Sequence, residues 1–126
     1  KKVSNGTDPD QKKIIGKWQW LERSGGFAGK TTTPVKEGYT EKIEFGKDGI
    51  YQKYKNDSLV DRKQFSFSRQ TSIRNQQDVW VVSFTDIAPR SGESSPRMSI
   101  SFQGNDTLML YEEVHDGFEY LYVRLK

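Results

Sequence analysis

His115 is the only histidine of the chain, and it sits beside Glu113 and Asp116. Such a trio could serve as a general base or a weak metal site. Nucleophilic catalysis, however, needs its base within ~2.6–3.2 Å of a nucleophile, and the sequence has neither a Gly-x-Ser-x-Gly elbow nor a cysteine. A zinc site takes three or four Cys, His or carboxylate ligands, so one histidine argues for a solvated turn residue instead. Asp57, Asp61, Glu112, Glu113 and Asp116 could converge on calcium, yet they lack the regular Asp-x-Asp-x-Asp-Gly spacing of a calcium loop. Gly25-Gly26-Phe27-Ala28-Gly29 runs into Lys30-Thr31 like a phosphate-cradling loop, but it is one residue too short. Thr32-Thr33-Pro34 also opposes the helix such a loop must enter. The segment reads as a lid with Phe27 as its apolar plug. No catalytic residue, metal or cofactor is assigned, and the chain is expected not to be an enzyme.

The elements that must hold any site are short runs with period-two alternation over 14–23, 39–46, 49–55, 58–68, 78–85, 97–103, 106–112 and 118–125. Gly46-Lys47-Asp48-Gly49, Asn56-Asp57, Gly104-Asn105-Asp106 and Asp116-Gly117 separate them, with residues that tolerate the positive φ of hairpin turns. Regular short strands joined by tight turns predict an all-β, eight-stranded up-and-down antiparallel barrel. Parity sorts its faces. Tyr39, Ile43 and Phe45 oppose Thr40, Lys42 and Glu44; Met98, Ile100 and Phe102 oppose Arg97, Ser99 and Ser101. Asp61 and Lys63 share a face with Phe65 and Phe67, which sets two charges into an apolar wall. Both faces of 118–125 are apolar, so parity alone leaves its inward side open.

In an up-and-down meander, successive loops fall at opposite ends. The connections 24–38, 56–57, 86–96 and 113–117 share one end, and 46–49, 69–77 and 104–106 the other. Two of the first set are long and rich in Gly, Ser, Thr and Pro, and long loops carry function more often than tight turns do. That end is therefore read as the mouth. Inward residues of the mouth half are Trp20, Tyr39, Tyr54, Phe84, Met98, Ile100 and Tyr120, with Phe27 on the lid. Glu22, Glu41, Asp61 and Lys63 are the polar groups that could orient a ligand. An eight-stranded barrel has room for one small ligand or for side chains that fill it.

Composition sets the outer limits. The chain has 126 residues, 13% of them aromatic, and a net charge of +3. Lys1, Lys2, Lys12 and Lys13 against Asp8 and Asp10 place two of those charges in residues 1–13, a polar stretch read as a flexible leader ahead of a domain over 14–126. The remaining charges alternate in sign. Nucleic-acid binding concentrates positive charge on one face or stripe, so no nucleic-acid partner is expected.

Gly16-Lys17-Trp18 opens the first strand and Arg124 lies near the end of the last. This resembles the lipocalin (calycin) pattern, in which a Gly-x-Trp motif closes the barrel base and a late arginine packs across the tryptophan. Gly16, Trp18 and Arg124 are the base residues this implies. Gly16-Lys17-Trp18-Gln19-Trp20, Ser24 to Gly29, Ile43-Glu44-Phe45 before Asp48-Gly49, and Asp116-Gly117 make the chain similar to small lipocalin-like lipoproteins of Bacteroides-type bacteria. That resemblance implies an exported protein of the periplasm or outer membrane, held only by an N-terminal lipid anchor outside this chain. The expected function is non-catalytic binding or transport of a small, partly apolar or sugar-like ligand by a monomer. The alternative is an interaction lipoprotein with a filled barrel whose loops bind a protein or glycan.

Overall fold

The computed structural model describes residues 9–26, 29–87 and 96–125. Its elements are α1 (Pro9–Ile14), β1 (Gly16–Gly25), β2 (Lys30–Thr32), α2 (Pro34–Glu37), β3 (Glu41–Phe45), β4 (Ile50–Lys55), β5 (Ser58–Thr71), β6 (Asp78–Asp86), β7 (Met98–Gln103), β8 (Thr107–Glu112) and β9 (Phe118–Arg124). The sheet runs β2-β1-β3-β4-β5-β6-β7-β8-β9, and β9 pairs back onto β1. Eight antiparallel strands thus close into an up-and-down barrel, with β2 as a short extra strand on β1. Each strand expected from the alternation has its counterpart.

Burial follows parity. Ile43 and Phe45 of β3 are fully buried between half-buried neighbours, and Leu108 and Leu110 of β8 behave likewise. Fully burying such a side chain stabilises the fold by about 1.5–3 kcal/mol. Rings knit the strands together: Phe45 lies 5.3 Å from Tyr51 and 5.1 Å from Phe65, and Tyr51 lies 4.7 Å from Phe84. On β9, Tyr120 and Tyr122 join the core cluster, which resolves the strand whose two faces were both apolar.

Trp18 and Arg124 meet at the base of the barrel. Trp18 and Arg124 are register partners, and the Arg124 guanidinium sits 4.2 Å from the centre of the indole. Its nitrogens donate to the carbonyls of Lys13 (2.5 Å), Ile15 (3.1 Å) and Asn105 (3.0 Å). The Trp18 Nε1–H donates to the Ile14 carbonyl at 2.8 Å. Gly16 has φ +136°, and a Cβ there would come within 2.9 Å of the Arg124 Nη1. Only glycine takes that conformation and leaves the guanidinium its place.

Four local features depart from the alternation. The expected boundary at residues 13 and 14 falls inside α1, and Ile14 is fully buried against the core. Pro34, read as opposing a helix, begins α2 instead. Proline suits the first helical turn because its missing N–H has no intrahelical use there. Thr33 caps the turn by accepting the Lys36 N–H, and Gly38 ends it at φ +81°. In β1 the register with β9 slips between Trp20 and Glu22, so Leu21 forms a bulge. Finally, β6 meets β7 only at Val81↔Ser99 and Val82↔Met98. The turn after β5 packs instead near the β8–β9 connection, where Ser72 Oγ and the Ile73 N–H both donate to the Glu113 carboxylate, at 2.8 and 2.9 Å.

Candidate functional site

The antiparallel order brings α2, the β4–β5 turn, the end of β6 and the β8–β9 turn to one end of the barrel. The inner wall of that half is where charge and aromatic surface meet. Asp61 and Lys63 are both buried, at 5% and 2% exposure. Their shared face with Phe65 and Phe67 points inward, as their spacing on β5 predicts. The Lys63 ammonium lies 3.3 Å from Asp61 Oδ1 and 3.0 Å from Asp86 Oδ1. Burial pulls the lysine pKa down, but the hydrogen bonds and charges of Asp86 and Asp61 outweigh it and hold the group above its ordinary value.

Asp61 is used unevenly. Its Oδ1 takes the Arg62 N–H at 2.9 Å as well as the Lys63 contact. Its Oδ2 is buried with no hydrogen-bond partner among the described residues, and the same holds for Trp20 Nε1. Trp20 is 2% exposed and stacks on Tyr39, with centroids 5.7 Å apart and planes 23° from parallel. The Lys55 ammonium covers the Tyr39 ring at 4.2 Å.

On the neighbouring strands, Tyr120 Oη donates to Glu112 Oε2 at 2.8 Å, and the Phe118 N–H donates to Oε1 at 3.0 Å. Burial and the Glu112 carboxylate push the Tyr120 phenol well above its ordinary pKa, and burial does the same for Tyr122. Both phenols therefore remain neutral donors at physiological pH. Phe84, Met98 and Ile100 supply the apolar part of the same wall and pack on the core.

Six of the expected ligand-facing residues, Trp20, Tyr39, Phe84, Met98, Ile100 and Tyr120, thus belong to or pack against the core cluster. Phe27 lies outside the described residues. Tyr54 is corrected. Alternation from buried Tyr51 turns it to the outer face, where its hydroxyl donates to Gln52 Oε1. It lines an outer groove of about 460 Å³ with Lys42, Asp57 and Leu125. Glu22 is also turned outward, because the bulge at Leu21 pairs it with Leu121.

The same bulge brings in a residue that alternation misses. Arg23 pairs with inward Tyr120, lies 5.1 Å over the Phe118 ring and sits 3.8 Å from Glu37. Glu112, Lys53 and Lys55 could have been found by parity from Leu110 and Tyr51. The carboxylates that might have gathered around a cation are instead spread apart. Glu112 faces the interior, Asp57 pairs with Lys42 on the outside at 2.6 Å, and Glu113 holds the turn after β5. His115 is exposed and lines a second outer groove of about 340 Å³ with Arg74, Tyr111 and Asp116.

The inner wall combines an aromatic stack, a hydrogen-bonded lysine–carboxylate group and two buried polar atoms without a partner among the described residues. Compared with protein-family models, curated proteins and solved structures, the chain matches none.

Proposed function

We propose that the protein is a non-catalytic carrier that holds a small, partly apolar ligand in the mouth half of its barrel. The observation that carries this reading is the pair of buried atoms Trp20 Nε1 and Asp61 Oδ2 on inner walls, neither with a hydrogen-bond partner among the described residues. Leaving a buried donor or acceptor unsatisfied costs about 1–3 kcal/mol, and native interiors keep such groups rarely. A ligand that completes both would recover that cost on binding. The Trp20–Tyr39 stack and the Phe84, Met98 and Ile100 side chains make up the apolar part of the same interior. Sites of this composition, mostly apolar with a few placed polar groups, are the common form of small-molecule pockets.

The Gly16-x-Trp18 and Arg124 base supports a lipocalin-like assignment, and with it export and an envelope location by resemblance to Bacteroides-type lipoproteins. Native mass spectrometry of protein purified from its own host tests the carrier reading. A co-purifying small molecule is expected, and it should be lost from Trp20→Phe. Protein that is uniformly ligand-free would overturn the reading.

A second reading draws support from the rim. Val35, Leu59, Val60, Ile87 and Val114 are all exposed, Val35 to 91%, and all lie towards the mouth end. An apolar rim of this kind suits loop-mediated docking of an interaction protein. Under that reading the rim, and not the interior, would respond to mutation.

A further inference from the structure

From the chemistry of the inner wall, and resting on the carrier reading above, we propose that the ligand is a neutral, hydroxyl-bearing molecule with an apolar face, not a fatty acid or an organic cation. The two unpartnered atoms ask for opposite things. Trp20 Nε1–H is a donor only and requires an acceptor; the Asp61 carboxylate Oδ2, beside Lys63, is an acceptor and requires a donor. A hydroxyl both donates and accepts, so a ligand with two hydroxyls, or one hydroxyl and an ether oxygen, answers both.

Charge decides against ionic ligands. Asp61 already has its counter-ion in Lys63, 3.3 Å away, so it lacks a hydrogen-bond donor and not a positive charge. In the mouth half, register places Arg23, Lys53, Lys55 and Lys63 on the inner face with Glu41, Asp61, Asp86 and Glu112, as many basic groups as acidic ones. A ligand carboxylate directed at Asp61 would set two anions together and leave Oδ2 unsatisfied. A ligand ammonium would meet the Lys63 ammonium on that same carboxylate and offer nothing to Trp20.

The test compares three compounds with one eight-carbon tail: octyl β-D-glucopyranoside, octanoate and octylammonium. Each is titrated calorimetrically below its micelle concentration against the full chain stripped of small molecules. The glucoside is expected to bind at least about tenfold tighter than either ion, the factor that about 1.4 kcal/mol represents. Trp20→Phe keeps an aromatic ring but removes the donor, and should weaken glucoside binding about tenfold or more. Asp61→Asn should likewise weaken the glucoside, while octanoate, relieved of the anion, should bind no more weakly than before; if the variant fails to fold, Trp20→Phe carries the test. Octanoate or octylammonium binding as tightly as the glucoside would overturn the ligand class. So would a glucoside affinity indifferent to Trp20→Phe, or no binding by any of the three. The carrier reading is judged separately, by the mass that co-purifies from the host.

Discussion

Three residues concentrate the energetics. Lys63 is the inner wall's most buried charge, and its ammonium serves both Asp61 and Asp86. Removing one partner of a buried charge group costs about 3–5 kcal/mol because the remaining charge is stranded. Lys63→Met should lower unfolding free energy by that order in urea titrations, with the larger part traceable to buried Asp61. Because the lysine pKa is raised in the fold, its contribution is present below the ordinary value of 10.5 and is lost as pH rises through the folded value. Glu113 behaves in the opposite sense. Burial pushes its carboxyl up, but the Ile73 N–H, the Ser72 hydroxyl and the Arg74 charge outweigh this and hold it below 4.5. Its contribution is thus present above pH 4.5 and is lost as pH falls through the folded value. Melting temperatures of wild type and Glu113→Gln should therefore differ at neutral pH and converge in acid. At the base, Gly16→Ala must both adopt φ +136° and displace the Arg124 Nη1. Strain of that kind costs about 1–3 kcal/mol. A double-mutant cycle of Gly16→Ala with Arg124→Met should show coupling between the two sites.

At the scale of elements, the alternation of β3 and β5 was legible because each strand buries one face and any one-residue slip would expose its core set. Asp61 and Lys63 were placed inside for the same reason. What alternation could not supply was the bulge at Leu21, since an extra residue in one strand leaves no mark in a period-two pattern. That single irregularity exchanges Glu22 for Arg23 at the mouth. Tyr54 was misplaced by preferring its ring to the parity of its own strand, in which Lys53 and Lys55 share the inward face of Tyr51. The turn holding Ser72 to Glu113 depends on a contact 41 residues apart, which no local pattern carries. The β6–β7 seam is the barrel's weakest join among the described strands, paired only at Val81↔Ser99 and Val82↔Met98. β6 is paired with β5 along its whole length. Native-state hydrogen exchange should therefore alternate along β6. Amides directed towards β5 will be protected, and those directed towards β7 will exchange faster beyond Val81 and Val82.

For the whole molecule, the barrel divides into an apolar, tightly closed base and a mouth half that mixes aromatic rings with balanced charge. Trp18, Phe45, Leu108 and Leu110 hold the first together, while Trp20, Tyr39, Asp61 and Lys63 shape the second. The outer grooves at Tyr54 and at His115 are separate features of the surface and stand as internal controls for binding. The chain has three tryptophans, so its indole N–H groups give three nuclear magnetic resonance signals. Trp18 Nε1–H is bonded to the Ile14 carbonyl, whereas Trp20 Nε1–H has no partner among the described residues. The most direct measurement is a titration of the ¹⁵N-labelled protein with octyl β-D-glucopyranoside, and with the small-molecule fraction released from host-purified material. The Trp20 indole signal is expected to move downfield and its solvent exchange to slow, while the Trp18 signal stays fixed. Saturation that leaves Trp20 unmoved and shifts only residues of the outer grooves would contradict a binding site inside the barrel.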